Sequence, residues 1–133
     1  MPLSQRGPIL LVEDDTPSAE LITILLKGIG VREVDRAADG LDAWTLLQHK
    51  SYDLLISDVR MTPVDGLTFL HSLRAEPQFA SVRVLLITAS RDPAVLRRAK
   101  ALGADGFLLK PFTADSLQAA LAWILPDRET AAA

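Results

Sequence analysis

Polar residues with reactive side chains end or follow four aliphatic segments of this chain. The pairs are ILLV (9–12) with Glu13-Asp14-Asp15, DLLIS (53–57) with Asp58, VRVLLIT (82–88) with Thr88, and DGFLLK (105–110) with Lys110. An ionised carboxylate beside a buried strand is costly unless a partner compensates its charge. The partner that compensates Asp58 therefore points toward a function.

Together these side chains match the requirements of phosphoryl transfer. Clustered carboxylates repel one another, and a hard divalent cation such as Mg²⁺ relieves that repulsion while also binding water and phosphate oxygens. A carboxylate such as Asp58 can act as a nucleophile and form an acyl phosphate. The cation, a lysine and a hydroxyl would share the charge of the transferred group. These residue types therefore predict a magnesium-assisted phosphorylation site.

Each residue also has a simpler interpretation. Asp14 and Asp15 are good helix caps, Thr88 can be an ordinary strand-end residue, and Lys110 can be a solvated loop lysine. The joint arrangement favours a site, because four strand ends with matching chemistry are improbable as a coincidence.

The segments that carry these residues predict parallel strands. Three of them are almost continuously aliphatic, as strands covered on both faces are, whereas VREVDRA (31–37) is more polar and predicts an edge strand. Strict alternation of strands with helical segments predicts a parallel sheet with helices on both faces and right-handed crossovers. Such sheets bind ligands outside the carboxyl ends of their strands, where the reactive residues stand.

Capping signals predict where five helices begin. The signals are Thr16-Pro17, Asp39-Gly40, Asp65-Gly66, Asp92-Pro93, and Thr113 or Asp115. Helical spacing predicts one buried apolar face for each helix. The predicted faces are Leu21, Ile22, Leu25 and Leu26; Leu41, Trp44 and Leu47; Leu67, Leu70 and Leu73; Val95, Leu96, Ala99 and Leu102; and Leu117, Ala120, Leu121 and Ile124.

Bulk composition narrows the class of protein. A chain of 133 residues, 49% of them hydrophobic, suits one domain with a sizeable core. A net charge of −3 argues against a general nucleic-acid surface, and the chain has no cysteine for a disulfide or a thiolate site. No apolar run approaches the roughly 18 residues that span a bilayer. We expect a cytoplasmic domain over residues 8–125, with tails at 1–7 and 126–133.

The motifs LLVEDD, DLLISDVRM, VDG, LLITAS and GADGFLLKPF closely resemble those of the receiver domain of two-component response regulators. They lie within residues 9–112, and the separations of Asp58 from Thr88 (30 positions) and of Thr88 from Lys110 (22 positions) agree with the family pattern. The resemblance implies a doubly wound, flavodoxin-like (βα)5 α/β fold whose five-stranded parallel sheet has the strand order 2-1-3-4-5.

The resemblance also assigns roles to the acidic residues. Asp58 is the expected phosphoacceptor and one of the ligands of Mg²⁺. The other expected ligands are Asp14 directly, Glu13 through water, and the backbone carbonyl of Arg60. Asp15 matches no essential role and is expected to be a cap or an outer acid.

The resemblance assigns the remaining roles to residues of the last two predicted strands. Lys110 resembles the lysine that pairs with the phosphoryl group, and Thr88 resembles the switch hydroxyl that contacts it. Phe107 occupies the aromatic switch position, where a ring moves inward when the hydroxyl is drawn to the phosphate. The resemblance also implies that the Lys110-Pro111 peptide bond is cis.

The implied function is a phosphorylation-dependent signalling switch. A histidine kinase or a histidine phosphotransfer protein would donate a phosphoryl group to Asp58, and slow self-catalysed hydrolysis would remove it. Whether this counts as enzyme activity stays open. Phosphorylation would change the face formed by the fourth helix, fifth strand and fifth helix, for a downstream protein partner or a phosphorylation-dependent dimer. No contact with nucleic acid or membrane is expected.

Several residues depart from the family pattern or lie outside the expected site. Thr62 stands where the family usually has proline, with Pro63 one position late, and Arg60 puts a long cation beside the pocket. Trp123 is interpreted as a core-edge residue, with an exposed anchor as the alternative. The basic residues near the fourth helix form either a solvated face or a docking patch for an acidic partner. They are Arg91, Arg97, Arg98 and Lys100.

Three other functions compete with the switch. A phosphohydrolase of the haloacid dehalogenase type needs a second acid where Arg60 stands. A flavodoxin-like flavin binder needs glycine or hydroxyl donors where the acidic residues 13–17 stand. The third is a degenerate receiver that acts as a phosphorylation-independent docking module. The sequence does not decide between a stand-alone receiver and one domain of a longer regulator or hybrid kinase.

Overall fold

The computed structural model describes residues 7–60 and 65–125, so Thr62, Pro63, residues 1–6 of the first predicted tail and the whole of the second lie outside the described residues. Strands and helices alternate along the described chain. The strands are β1 (Ile9–Val12), β2 (Val34–Ala37), β3 (Leu54–Asp58), β4 (Val84–Thr88) and β5 (Gly106–Leu109). The helices are α1 (Thr16–Gly28), α2 (Gly40–His49), α3 (Gly66–Ala75), α4 (Pro93–Ala101) and α5 (Ala114–Ile124), with a 3-10 turn at Pro77–Phe79.

The five strands form one parallel sheet in the order β2-β1-β3-β4-β5, which confirms the doubly wound α/β fold. The register brings the reactive strand ends to the same edge. Asp58 is paired with Ile87, one residue before Thr88. Thr88 is in turn paired with Leu109, one residue before Lys110. Backbone pairing alone therefore aligns the acid, the hydroxyl and the lysine.

Two apolar layers cover the two faces of the sheet. Successive strand residues enter opposite layers, as Leu10 and Leu11 do in β1, because side chains alternate along a strand. Helices α2, α3 and α4 contribute to one layer, and α1 and α5 contribute to the other. The central strands are buried on both faces, so their carboxyl ends form a rigid platform.

Helix caps are formed mostly by the predicted residues. Asp39, Asp65 and Asp92 each accept a hydrogen bond from a backbone amide of the first helical turn. Thr113, rather than Asp115, begins the fifth helix. The prediction for the first helix is wrong by one residue, because the carboxylate of Asp15 accepts from the Ser18 amide at 3.0 Å. An aspartate at the first position of Asp-Thr-Pro outcompetes the threonine that follows it.

Three predictions about apolar side chains are wrong. Leu21 is 56% exposed, Leu41 is 66% exposed, and Trp123 is 82% exposed, so Trp123 is not a core-edge residue. The sheet covers a narrower stripe of each helix than its apolar residues span. The buried stripes are Ala19, Ile22 and Leu26 in α1; Gly40, Ala43 and Leu47 in α2; and Leu117, Leu121 and Ile124 in α5.

None of the helices within residues 7–60 and 65–125 is long and apolar enough to cross a membrane.

Candidate functional site

The carboxylate of Asp58 lies at the carboxyl end of β3 with a partner on each oxygen. The prediction that the strand ends before Asp58 is wrong by one residue. Asp58 is the last residue of β3 and is paired with Ile87 of β4. The side chain is 8% exposed. The Lys110 ammonium contacts Oδ2 at 2.6 Å, and the Arg60 amide donates to Oδ1 at 3.0 Å. A buried acid is thus compensated by a cation and a backbone donor.

The first residue of α3 lies directly against the backbone of Asp58. Gly66 donates its amide hydrogen to the Val59 carbonyl at 2.8 Å. A Cβ atom at Gly66 would lie 2.3 Å from the carbonyl oxygen of Asp58, so a side chain there cannot be accommodated without a shift of the backbone. The sequence assigned Asp65-Gly66 only to the start of a helix and missed this contact.

Glu13 is the most buried acid of the site. It follows β1, its amide continues the pairing with β2 by donating to the Ala37 carbonyl, and it is 2% exposed. Burial raises the pKa of Glu13 to about 7, and the charge of Asp58 and a hydrogen bond with its carboxylate add to the effect. A buried Glu13 whose pKa is raised beside a second carboxylate indicates a site that needs additional positive charge.

Lys110 supplies part of that charge. Burial alone would lower the pKa of the ammonium, but its hydrogen bond to Asp58 and the charges of Asp58 and Glu13 outweigh burial, so the pKa of Lys110 is raised. The lysine follows β5 directly, and its amide donates to the Thr88 carbonyl at 2.8 Å. The Lys110-Pro111 peptide bond is cis, as predicted.

Thr88 and Phe107 occupy different surroundings. The Thr88 side chain is buried at the end of β4, and its hydroxyl accepts a hydrogen bond from the Ser90 amide at 3.0 Å. The Phe107 ring is half-buried in β5 against the apolar layer shared by α2, α3 and α4. It also lines a groove of about 590 Å³ that includes Lys100 and Trp123.

The acidic residues after β1 are tied to the neighbouring strand by an arginine. The Arg36 guanidinium on β2 donates to the Glu13 carbonyl from Nε (3.1 Å) and Nη2 (3.0 Å). The same guanidinium also contacts the Asp14 carbonyl and the Thr16 hydroxyl, each at 3.3 Å. Sequence reasoning missed Arg36, since an arginine on an edge strand carries no signal for such contacts. Asp15, read as a cap or an outer acid, is the cap of α1.

The donors near Asp58 suit a cation that takes few protein ligands. Over the described ranges, no three acidic or histidine side chains lie close enough to form a complete ligand cage. Mg²⁺ is typically bound by one or two carboxylates and several waters. Burial, and after it the charge of Asp58, raise the pKa of Glu13, and a bound cation would oppose both effects. The residues therefore fit Mg²⁺.

The structure brings together the predicted residues Glu13, Asp58 and Lys110. The Thr88 carbonyl accepts a hydrogen bond from the Lys110 amide. Asp14 and Arg60 adjoin this group along the chain.

Comparisons with known proteins identify the same family. The family model for the response regulator receiver domain matches residues 9–122. A probable chemotaxis protein CheY of Rhizobium etli is 31% identical over 121 residues, which cover 91% of this chain and 94% of that protein. Chemotaxis protein CheY4 of Vibrio cholerae superposes with a TM-score of 0.83 at 32% identity, covering 90% of this chain and 99% of that one.

The receiver domain of a sensor histidine kinase from Pseudomonas aeruginosa is also similar. Its TM-score is 0.78 at 29% identity, with 90% of this chain and 98% of that chain covered. Sequence motifs, strand order and these similarities agree. The chain therefore belongs to the response regulator receiver domain family of two-component signalling.

Proposed function

We propose that this protein is a phosphorylation-dependent switch that accepts a phosphoryl group on Asp58. The observation that carries the proposal is the 2.6 Å contact between Lys110 and a buried strand-end carboxylate that has a second acid, Glu13, beside it. An ion pair that served only stability would not need an adjacent buried acid with a raised pKa. Family membership favours this function over a flavin binder or a haloacid dehalogenase-type hydrolase.

The reaction transfers phosphorus from nitrogen to oxygen. A carboxylate oxygen of Asp58 attacks the phosphorus of a phosphohistidine on a histidine kinase or phosphotransfer protein. The new P–O bond forms as the P–N bond breaks, and the electron pair of that bond leaves with the imidazole. The Lys110 ammonium and the Thr88 hydroxyl would contact the phosphoryl oxygens and share their charge. Water later attacks the phosphorus, and the acyl P–O bond breaks to restore the carboxylate.

Mg²⁺ would be held by Asp14, by Asp58, by Glu13 through water and by the Arg60 carbonyl. When bound, it supplies positive charge that neutralises the phosphoryl oxygens and the clustered carboxylates. The Pseudomonas aeruginosa receiver domain was described with magnesium coordinated in its active-site cleft, which supports the same assignment here.

The output would come from the face formed by α4, β5 and α5. Thr88 would leave its bond with the Ser90 amide to contact the phosphoryl group, and Phe107 would move inward in response. Both residues lie at or beside the strand that forms the centre of this face. An exposed tryptophan, Trp123, and a basic surface on α4 give the face recognisable chemistry for a downstream protein or a second copy of the chain.

The central test is the formation of an Asp58 adduct. Incubation with acetyl phosphate or beryllofluoride plus Mg²⁺ should add one phosphoryl group or one beryllofluoride, read by intact mass or by NMR. Asp58→Asn should abolish the adduct, whereas Asp115→Asn, which changes an exposed acid of α5, should retain it. Absence of any adduct in wild type would exclude this function and favour the phosphorylation-independent docking module. An adduct that persists in Asp58→Asn, or that forms equally without Mg²⁺, would contradict the proposed Mg²⁺-assisted transfer to Asp58.

A further inference from the structure

We propose that Arg36 is a positioning residue that holds the acidic segment after β1 in the geometry needed for Mg²⁺. The inference rests on the proposed function, because it presumes that Glu13 and Asp14 serve a cation. Arg36 is not an expected metal ligand, and its guanidinium is itself a cation. Its effect must therefore be transmitted through the backbone of the residues that it contacts.

The contacts of Arg36 converge on the segment that carries the acids. Three of its nitrogen atoms reach three acceptors between the end of β1 and the first residue of α1. The acceptors are the carbonyl of Glu13 (3.0 and 3.1 Å), the carbonyl of Asp14 (3.3 Å) and the hydroxyl of Thr16 (3.3 Å). A planar guanidinium with five fixed donors can make such a set at once, and a lysine ammonium cannot reproduce it.

Other hydrogen bonds hold the residues on either side of Asp14. Glu13 is fixed at its amide by the Ala37 carbonyl, and Asp15 is fixed by its cap to Ser18. Asp14 lies between these two anchors and is exposed, and its carbonyl is bonded to Arg36. The arginine therefore restrains the peptide groups on both sides of Asp14, which sets the direction in which its carboxylate leaves the backbone.

Charge and position predict opposite effects of removing Arg36. If its charge dominated, neutralising it would tighten Mg²⁺ binding, since a positive group beside the site repels the cation. If its hydrogen bonds dominate, removing them loosens the acidic segment and weakens Mg²⁺ binding, as loss of groups that orient metal ligands does. The geometry points to the second effect, because four contacts hold the ligand segment directly.

The experiment compares Mg²⁺ affinity in variants of the whole chain. Arg36→Met removes the donors and the charge, and Arg36→Lys keeps the charge but loses the planar set of donors. Arg32→Met is the matched control, because Arg32 is an exposed arginine before the opposite end of the same strand. Titration with MgCl₂ in the absence of phosphodonor, followed by amide NMR shifts, gives the Kd without reference to activity.

We expect Arg36→Met to raise the Kd for Mg²⁺ by about tenfold and Arg36→Lys to raise it in the same direction. The amides of residues 13–16 should shift in the metal-free spectra of both variants. Arg32→Met should leave the Kd within about twofold of wild type, because its charge is screened by solvent. If Arg36 served only the stability of the fold, its replacement would lower thermal stability but leave the Kd of the folded protein for Mg²⁺ unchanged.

Two results would overturn the inference. One is a Kd that is unchanged or lower in Arg36→Met, or unchanged in Arg36→Lys, while wild type binds Mg²⁺. The other is an equal loss of affinity in Arg32→Met. If wild type itself failed to bind Mg²⁺, the proposed function would fail as well, so the two failures are distinguishable.

Discussion

A buried carboxylate at the end of a strand is stable here because several neighbours share its charge. Asp58 has the Lys110 ammonium on one oxygen and the Arg60 amide on the other. Glu13 accepts a hydrogen bond from the Asp15 amide at 3.3 Å and feels the charge of Lys110, but burial and the charge of Asp58 outweigh both and raise its pKa to about 7. In the metal-free site the charge of Asp58 is thus compensated, whereas the ionised form of Glu13 is disfavoured. A divalent cation would stabilise that ionised form.

Glu13→Gln should remove a pH-dependent loss of stability from the metal-free protein. The pKa of Glu13 is about 7 in the folded protein and 4.5 is its usual value, so the folded state binds more protons between these values. Stability must therefore fall as pH rises from about 4.5 to 7, with the full loss above pH 7. The free energy of unfolding of Glu13→Gln, relative to that of wild type, should therefore increase by about 1–3 kcal/mol as the pH rises from 5 to 8.

The measurement is urea denaturation of both proteins at pH 5 and pH 8 in EDTA. Saturating Mg²⁺ should remove the advantage of the variant at pH 8, because the cation stabilises the ionised carboxylate of wild type. A difference in free energy of unfolding that does not change with pH would contradict the assigned burial of the Glu13 charge.

At the scale of elements, the pairing of parallel strands and the packing of helices determine where the reactive side chains lie. The register places Thr88 at the end of β4, the strand next to Asp58, and Lys110 directly after β5, the following strand of the sheet. The start of α3 lies against the end of β3 through Gly66, whose missing Cβ leaves room for the Asp58 carbonyl. Helix α3 and the end of β3 are thus in direct backbone contact at Asp58 and Val59.

Gly66→Ala should destabilise the protein by about 1–3 kcal/mol, as overpacking against backbone does. The added Cβ would lie 2.3 Å from the Asp58 carbonyl oxygen, so α3 or the end of β3 must move. Thermal denaturation gives the loss, and the amide shifts of Asp58 and Val59 should change with it.

Gly28→Ala is the control for Gly66→Ala. Gly28 ends α1, and a Cβ there would have no heavy atom within 4 Å. We expect that variant to be neutral or slightly stabilising. Equal stability of the two variants would contradict the close approach at Asp58.

On the scale of the whole molecule, two adjacent residues at the end of α5 have opposite surroundings. Ile124 is 2% exposed and packs in the layer that α1 and α5 share, whereas its neighbour Trp123 is almost fully exposed. A monomer gains little from an exposed indole, and large exposed aromatic side chains are frequent anchors of protein interfaces. The tryptophan lines the groove that also contains Phe107.

Trp123→Ala should leave the free energy of unfolding within about 0.5 kcal/mol of wild type, whereas Ile124→Ala should lower it by about 2–5 kcal/mol. Urea denaturation of the two variants makes the comparison between adjacent residues. A large loss in Trp123→Ala would show that the indole belongs to the core of the monomer.

The sequence by itself determined the strand segments, four of the five helix starts and the chemical types at the strand ends. These follow from local rules: aliphatic runs, capping residues and the alternation of strands with helices. The cis Lys110-Pro111 bond was also expected, through the family resemblance. The residue roles of the site and the domain limits at 8–125 stay predictions.

Tertiary structure decided what depends on distances between remote residues. Periodicity marked Leu21 and Leu41 as core, but the sheet covers only one stripe of each helix, and both are exposed. The raised pKa of Glu13 and the contacts of Arg36 join segments that lie over 20 residues apart. A residue's type and local pattern give its capacity for chemistry, whereas burial and charge are set by neighbours that only the folded chain brings close.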